Sequence, residues 1–240
     1  MTEGPKLFME APLEWVKKIY VTEEFLEGLK DGREGSLRIS DMIGWMEHEV
    51  ISTDQLKKIS DTQTPQGILC IMEQPDYSLH DIIAKEDRPK LIMILEDIQD
   101  PGNLGTIFRT AEGAGASGII LSNGCVDIYN PKTIRSTMGS IYRMPFIYTD
   151  DLKSTVSDIK KEGISVYAAH LDGSKCFDEV EYGDSAFLIG NEGNGLRDET
   201  AELADIKIKI PMEGDLESLN AAVAASILMY HHYISGRTHI

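Results

Sequence analysis

The feature that most constrains this chain is the run Leu91-Ile92-Met93-Ile94-Leu95, five large apolar residues with no polar position among them. A strand with one wet face alternates polar and apolar side chains, so an unbroken run reads as a strand covered on both faces. Covering both faces takes helices on each side of a sheet, which is the arrangement of parallel α/β domains. Further short apolar runs follow at Gly118 to Leu121, Ser165 to Ala169, Ser185 to Ile189 and Ile206 to Ile210. Between them lie helical patterns at Thr106 to Ala114, from Asn130 to Thr137, and at Asp151 to Glu162. The Ala-rich stretch Leu219 to Tyr233, with little charge, closes the series as a helix suited to burial. The spacing therefore predicts an α/β domain over residues 90–240.

Residues 1–75 read as a second, smaller α/β domain. Leu13 to Lys18, Glu23 to Lys30 and Thr53 to Ile59 have helical character, and Ile19 to Val21, Glu49 to Ile51 and Ile68 to Met72 that of strands. Their alternation predicts a mainly parallel sheet here too. Residues 76–89 are polar, end at Pro89 and read as a linker with room for a short helix at Leu79 to Ala84.

Open α/β sheets hold ligands outside the carboxyl ends of their strands. Three segments of this chain put Gly or Pro and a few polar side chains directly after an apolar run. The first leads through Gly102 into Asn103-Leu104-Gly105-Thr106-Ile107-Phe108-Arg109-Thr110-Ala111, with Asn103 placed to cap the following helix. The second, Ile189-Gly190-Asn191-Glu192-Gly193-Asn194-Gly195-Leu196, is a Gly-rich loop with one carboxylate, whose backbone a ligand can approach closely. The third runs from Ile210-Pro211-Met212-Glu213-Gly214 to Glu217-Ser218-Leu219-Asn220, with Ser218 as the expected cap of the last helix. A phosphate-binding loop competes for the second segment, but neither a Walker Lys-Ser/Thr pair nor a Rossmann GxGxxG after the first strand is present.

Composition narrows the field further. Three widely spaced cysteines without a CxxC pair, and six histidines without metal-ligand spacing, indicate neither a disulfide framework nor a metal site. No apolar stretch approaches the length of a membrane span, and the N-terminus lacks the regions of a signal peptide, so a cytoplasmic location is expected. The net charge of −17 opposes a nucleic-acid partner if charge is uniformly spread. Lys132, Arg135 and Arg143, however, fall within twelve residues and form a local basic cluster, with Arg109 as a further cation in the first motif.

In their order and spacing the three segments resemble the SpoU (TrmH-type) family of SPOUT methyltransferases, which methylate RNA ribose 2′-hydroxyls using S-adenosylmethionine. The stretch Asn130-Pro131-Lys132-Thr133-Ile134-Arg135 through Arg143-Met144-Pro145 is similar to another part of the family's catalytic domain. Gly4 to Ala11 and Thr62 to Gly67 are similar to the first and last parts of its N-terminal substrate-binding domain. The resemblance implies a trefoil knot, one of the rare exceptions to unthreaded connections, and a homodimer with the knot region at its interface. It implies a cofactor site at Ala169, His170, Leu171, Gly190, Ile210, Met212 and Leu219, and RNA contacts at Lys132, Arg135 and Arg143. Arg109 matches the family's essential arginine, and Asn103, Glu192, Ser218 and Asn220 match positions that orient substrate or support it. With a free pKa above 12, a guanidinium suits stabilisation of a developing alkoxide better than proton abstraction. The two-domain layout favours ribosomal RNA; a transfer RNA methyltransferase, or an inactive RNA-binding relative, are the alternatives.

Overall fold

The computed structural model describes residues 1–84, 88–213 and 218–237. Two compact units divide the chain, Met1–Asp76 and Tyr77–Ile240.

The first unit contains β1 (Thr2–Glu3), α1 (Pro5–Glu10), β2 (Val16–Thr22), α2 (Glu23–Gly28), α3 (Glu34–Gly44), β3 (His48–Ile51), α4 (Thr53–Ile59) and β4 (Ile68–Met72). Its sheet has the order β1-β4-β2-β3. Only β2 and β3 pair in parallel, whereas β4 runs antiparallel to both β1 and β2, which corrects the expected mainly parallel sheet. Strands β2, β3 and β4 and helices α2 and α4 fall where the sequence places them, but β4 enters from the opposite end. The expected helix at Leu13 to Lys18 is also corrected: a single 3₁₀ turn, Leu13–Trp15, leads directly into β2. Val16, Ile19 and Val21 are buried in that strand and find their cover there.

The second unit contains α5 (Leu79–Ile83), β5 (Leu91–Leu95), α6 (Pro101–Ala114), β6 (Gly118–Ser122), α7 (Pro131–Thr137), β7 (Phe146–Thr149), α8 (Leu152–Lys161), β8 (Ser165–Ala169), β9 (Lys175–Cys176), β10 (Ser185–Ile189), α9 (Asp198–Ala201), β11 (Ile206–Lys209) and α10 (Ala221–Arg237). Its seven strands lie in the order β7-β6-β5-β10-β8-β11-β9, and every pairing is parallel. All five residues of β5 are at most 1% exposed, as a strand covered on both faces requires. On one face, Ile92, Ile94, Ile120, Val166 and Leu188 pack with Val156 and Ile159 of α8 and Ala201 of α9. On the other, Tyr167 stacks on Phe187 at 5.5 Å, and Phe187 meets His232 of α10 edge-on at 6.2 Å. Ile82 of α5 is fully buried in the first of these cores, so this part of the expected linker 76–89 is packed structure of the second unit.

Two local geometries set up the site. The strand order turns back on itself around β5, β10 and β8, and such a reversal opens a crevice beyond the strand ends. Gly105 in α6 lets α7 approach so closely that an added Cβ would stand 2.8 Å from the backbone carbon of Ser136. That contact seats α7, with Lys132 and Arg135, against the helix carrying Asn103 and Arg109.

Candidate active site

Helix α6 begins earlier than the periodicity predicts. Asp100 is its N-cap and accepts the backbone N–H of Asn103 at 2.8 Å, with Pro101 in the first helical position. Asn103 is therefore not the cap; it lies inside the first turn and its amide is free for another task. Asn103 Nδ2 donates to Glu192 Oε1 at 3.0 Å, and Asn103 Oδ1 accepts from Asn220 Nδ2 at 3.0 Å. Glu192 also accepts the backbone N–H groups of Gln99 and Asp100, each at 3.4 Å, so its carboxylate sits at the positive end of α6. Asn220 in turn caps α10, its Oδ1 accepting from the N–H groups of Ala222 and Val223 at 3.0 and 3.2 Å. This corrects the expectation that Ser218 is the cap. One polar chain, Glu192–Asn103–Asn220, thus joins residues from all three sequence segments.

Beside it lies a cleft of about 290 Å³, walled by the ends of β8, β10 and β11 and the start of α10. Ala169, His170, Leu171, Gly190, Ile210, Met212 and Leu219 all line it, as do Glu192 and Ser218. Apolar Leu171, Ile189, Ile210, Met212 and Leu219 line it together with the Gly-rich loop, and His170, Lys209 and Ser218 add polar groups. An added Cβ at Gly190 would fall 2.1 Å from the backbone of Gly195 and Leu196, so only glycine allows the two arms of the loop to close. Apolar side chains beside free backbone amide and carbonyl groups suit a ligand with an apolar body and a polar edge. Gly214 and Glu217 of the third segment lie outside the described residues.

Arg109 is exposed on α6 and, among the described residues, makes no hydrogen bond or ion pair, so the guanidinium is not held by a structural partner. Lys132 and Arg135 are exposed on α7 and likewise without an ion pair among the described residues. Arg143 differs, because its guanidinium is paired with Glu112, which holds the Glu112 carboxyl below the usual range. The basic cluster read from sequence is thus two uncommitted cations and one engaged.

Sequence reasoning missed the residue that shapes the loop. Asn191 Oδ1 accepts the N–H groups of Gly193 and Asn194 at 2.8 and 3.2 Å, and Asn191 closes a backbone pair with Gly195 at 2.9 and 3.0 Å. Its Nδ2 donates to the Asp97 carbonyl at 2.8 Å. An Asn two residues before a Gly is a turn signal of its own, since the side chain can satisfy the backbone ahead of it.

Comparison with known proteins agrees with this geometry. The family model for the SpoU rRNA Methylase family matches residues 90–230. The chain is 35% identical over 193 residues to a 23S rRNA (guanosine(2553)-2′-O)-methyltransferase, RlmP, of Bacillus subtilis, spanning 80% of this chain and 75% of that one. The AdoMet-bound rRNA methyltransferase of Sinorhizobium meliloti superposes with a TM-score of 0.74 at 30% identity, over 100% of this chain and 87% of that one. The SpoU methyltransferase AviRb of Streptomyces viridochromogenes shares the fold with a TM-score of 0.83 at 24% identity, over 99% and 90% of the two chains.

Proposed function

On the premise that this chain belongs to the SpoU rRNA methylase family, we propose that it transfers a methyl group from S-adenosylmethionine to a ribose 2′-hydroxyl of ribosomal RNA. The observation that carries this reading is the convergence of Asn103, Glu192 and Asn220 in one hydrogen-bonded chain beside a cleft lined by every residue expected at the cofactor site. Bound there, the cofactor supplies an activated methyl carbon. The chain's own residues do the rest. The Gly190–Gly195 loop and the walls at Leu171, Ile210, Met212 and Leu219 hold the cofactor and exclude water. Arg109, uncommitted and on the same helix as Asn103, stabilises negative charge developing on the substrate 2′-oxygen. Asn103, held from both sides by Glu192 and Asn220, orients the ribose, and Ser218 supplies a further hydroxyl.

Several finer features belong to the same reading. The Met1–Asp76 unit contacts the RNA substrate, Lys132 and Arg135 hold its phosphates, and the β10–α10 region forms the family's trefoil knot. A homodimer is supported by the outward apolar side chains of α10, where Val223, Tyr230 and Ile234 are 47%, 43% and 60% exposed. Ribosomal RNA is preferred to transfer RNA because the B. subtilis and S. meliloti proteins are both named for it. Among the described residues no helix is long and apolar enough to cross a membrane.

The test is calorimetry with S-adenosylmethionine and with ATP, followed by mapping of 2′-O-methyl sites in ribosomal RNA from cells with and without the gene. Cofactor binding without ATP binding, and loss of one ribosomal 2′-O-methyl group on deletion, is the expected outcome. ATP binding alone would return the Gly-rich loop to phosphate recognition.

A further inference from the structure

Directly after β5 stand two carboxylates that the mechanism does not use. Glu96 is 1% exposed, and a carboxyl group so deeply buried persists only when its lone pairs are satisfied. They are satisfied from the far end of the Gly-rich loop. Glu96 accepts the backbone N–H of Arg197 at 2.8 Å and the hydroxyl of Thr200, while its own N–H donates to the Ile189 carbonyl at 2.8 Å. Asp97 takes the start of the loop: its carbonyl accepts Asn191 Nδ2, and its carboxylate pairs with the Arg197 guanidinium. That pairing raises the Arg197 pKa further, first by the hydrogen bond and then by charge. Asp97 also adopts a left-handed backbone, φ 55°, one of two non-glycine residues to do so among those described. Ser122 braces it there, donating to Asp97 Oδ1 at 2.8 Å and accepting the Asp97 N–H at 2.9 Å. Such a conformation persists only where its surroundings over-determine it.

Both ends of the loop, Asn191 and Arg197, are therefore tied to two adjacent residues that directly follow a different strand, β5. We propose that Glu96 and Asp97, with Arg197 as their common partner, are positioning residues that fix the span of the 191–196 loop, and with it the cofactor cleft and the place of Glu192 against α6. The inference rests on the reading of that cleft as the S-adenosylmethionine site. Glu96 does not touch the cleft; it acts through the Arg197 backbone.

The side-chain chemistry supplies a graded set of variants. Glu96→Ala leaves the Arg197 N–H and the Thr200 hydroxyl without their acceptor in a dry site. Glu96→Gln keeps the geometry, because the amide oxygen can accept from Arg197 N in the place of Glu96 Oε2 and the amide nitrogen can donate to the Thr200 hydroxyl, which is also an acceptor. Arg197→Ala, at an exposed side chain, removes the Asp97 pair and the longer 3.8 Å pair with Glu96 but keeps the backbone N–H that Glu96 accepts, and should fold whatever happens to the buried variant. Ile159→Val, which removes one methyl group from the core around α8, serves as a reference that loses stability with every polar tie of the loop intact.

The experiment is calorimetric titration of S-adenosylmethionine into wild type and these variants, with melting temperatures and hydrogen exchange of residues 190–197. The expected result is a rise in Kd of about tenfold for Glu96→Ala, near-complete recovery in Glu96→Gln and a rise of about threefold for Arg197→Ala. Faster exchange in the loop should accompany each weakening, while Ile159→Val lowers the melting temperature with Kd unchanged. If wild type does not bind the cofactor, the reading of the cleft has failed and the inference with it. If wild type binds and folded Arg197→Ala and Glu96→Gln behave alike with unaltered loop exchange, the positioning role alone is overturned. The same holds if Kd in every variant simply follows its melting temperature, Ile159→Val included.

Discussion

Arg109 and Gly190 make opposite demands on their surroundings, and each yields a prediction. Arg109 has no partner among the described residues, so removing it leaves no buried group unsatisfied. Arg109→Ala should keep the wild-type melting temperature and cofactor affinity but lose roughly 10²-fold in kcat, the scale of one deleted oxyanion donor. Arg109→Lys should recover little of that loss, because an ammonium lacks the planar fork. Single-turnover methylation of a ribosomal RNA fragment by folded variants checks this; normal turnover would displace Arg109 from the chemistry. Gly190 is the reverse case. Its neighbours are backbone atoms that cannot rotate away, so even Gly190→Ala must force the loop open. A lower melting temperature together with loss of S-adenosylmethionine binding is expected by calorimetry, whereas retained affinity would mean that the cleft does not depend on the closed loop.

Among the elements, α10 has the most telling chemistry. His232 is buried on it, and its Nε2 donates to the Gly183 carbonyl at 2.9 Å. Burial lowers its pKa from the ordinary 6.5, and the carbonyl and Asp184 only partly offset this. The folded protein then binds fewer protons than the unfolded chain just below that pH. Its contribution to stability is complete above pH 6.5 and is lost as the pH falls towards the depressed folded value. Melting temperature should decline over that interval, and His232→Gln should flatten the decline; an unchanged slope would assign the acid sensitivity to other groups. The elements also show what periodicity can and cannot reveal. The apolar runs β5, β8 and β10 were legible to the residue, because burial on both faces leaves few polar positions, here only Ser165 and Ser185 at the starts of β8 and β10. Short β7 and β9 at the sheet edges were not, since Phe146–Thr149 and Lys175–Cys176 carry too little pattern. Helix α3 was missed because Gly35, Ser36 and Ser40 dilute its apolar face. The site residues came mostly from resemblance, while Asn191, Glu96 and Asp97 were invisible because their roles depend on partners about a hundred residues away.

Over the whole molecule, charge is the property most at odds with an RNA substrate. Residues 1–76 hold eight Lys and Arg against fifteen Asp and Glu, so the excess of acid is not confined to the second unit. Attraction for phosphate must then come from a few uncommitted cations. Lys132→Ala and Arg135→Ala should each weaken RNA binding and reduce the slope of log K against log salt by about one unit. Arg143→Ala should do less, because its charge is already spent on Glu112. Fluorescence titrations at several salt concentrations decide the matter, and equal slopes for all four proteins would place the RNA on another face.

The central position of β10 has a consequence for how the chain is made. Leu91 of β5 pairs with Ser185 of β10, and β10 then bridges to β8, so the middle of the sheet is the late part of the polypeptide. At ordinary rates of translation, the ribosome needs roughly 5–20 s to emit the residues that separate the two strands. Throughout that interval the apolar edge Leu91–Leu95 has no partner on one side, a template for association with other nascent chains. A fragment ending at residue 184 should accordingly pellet when it is expressed, whereas the chain carried through β11 and α10 stays in the supernatant; a freely soluble fragment would show that some other segment shields β5 in the meantime.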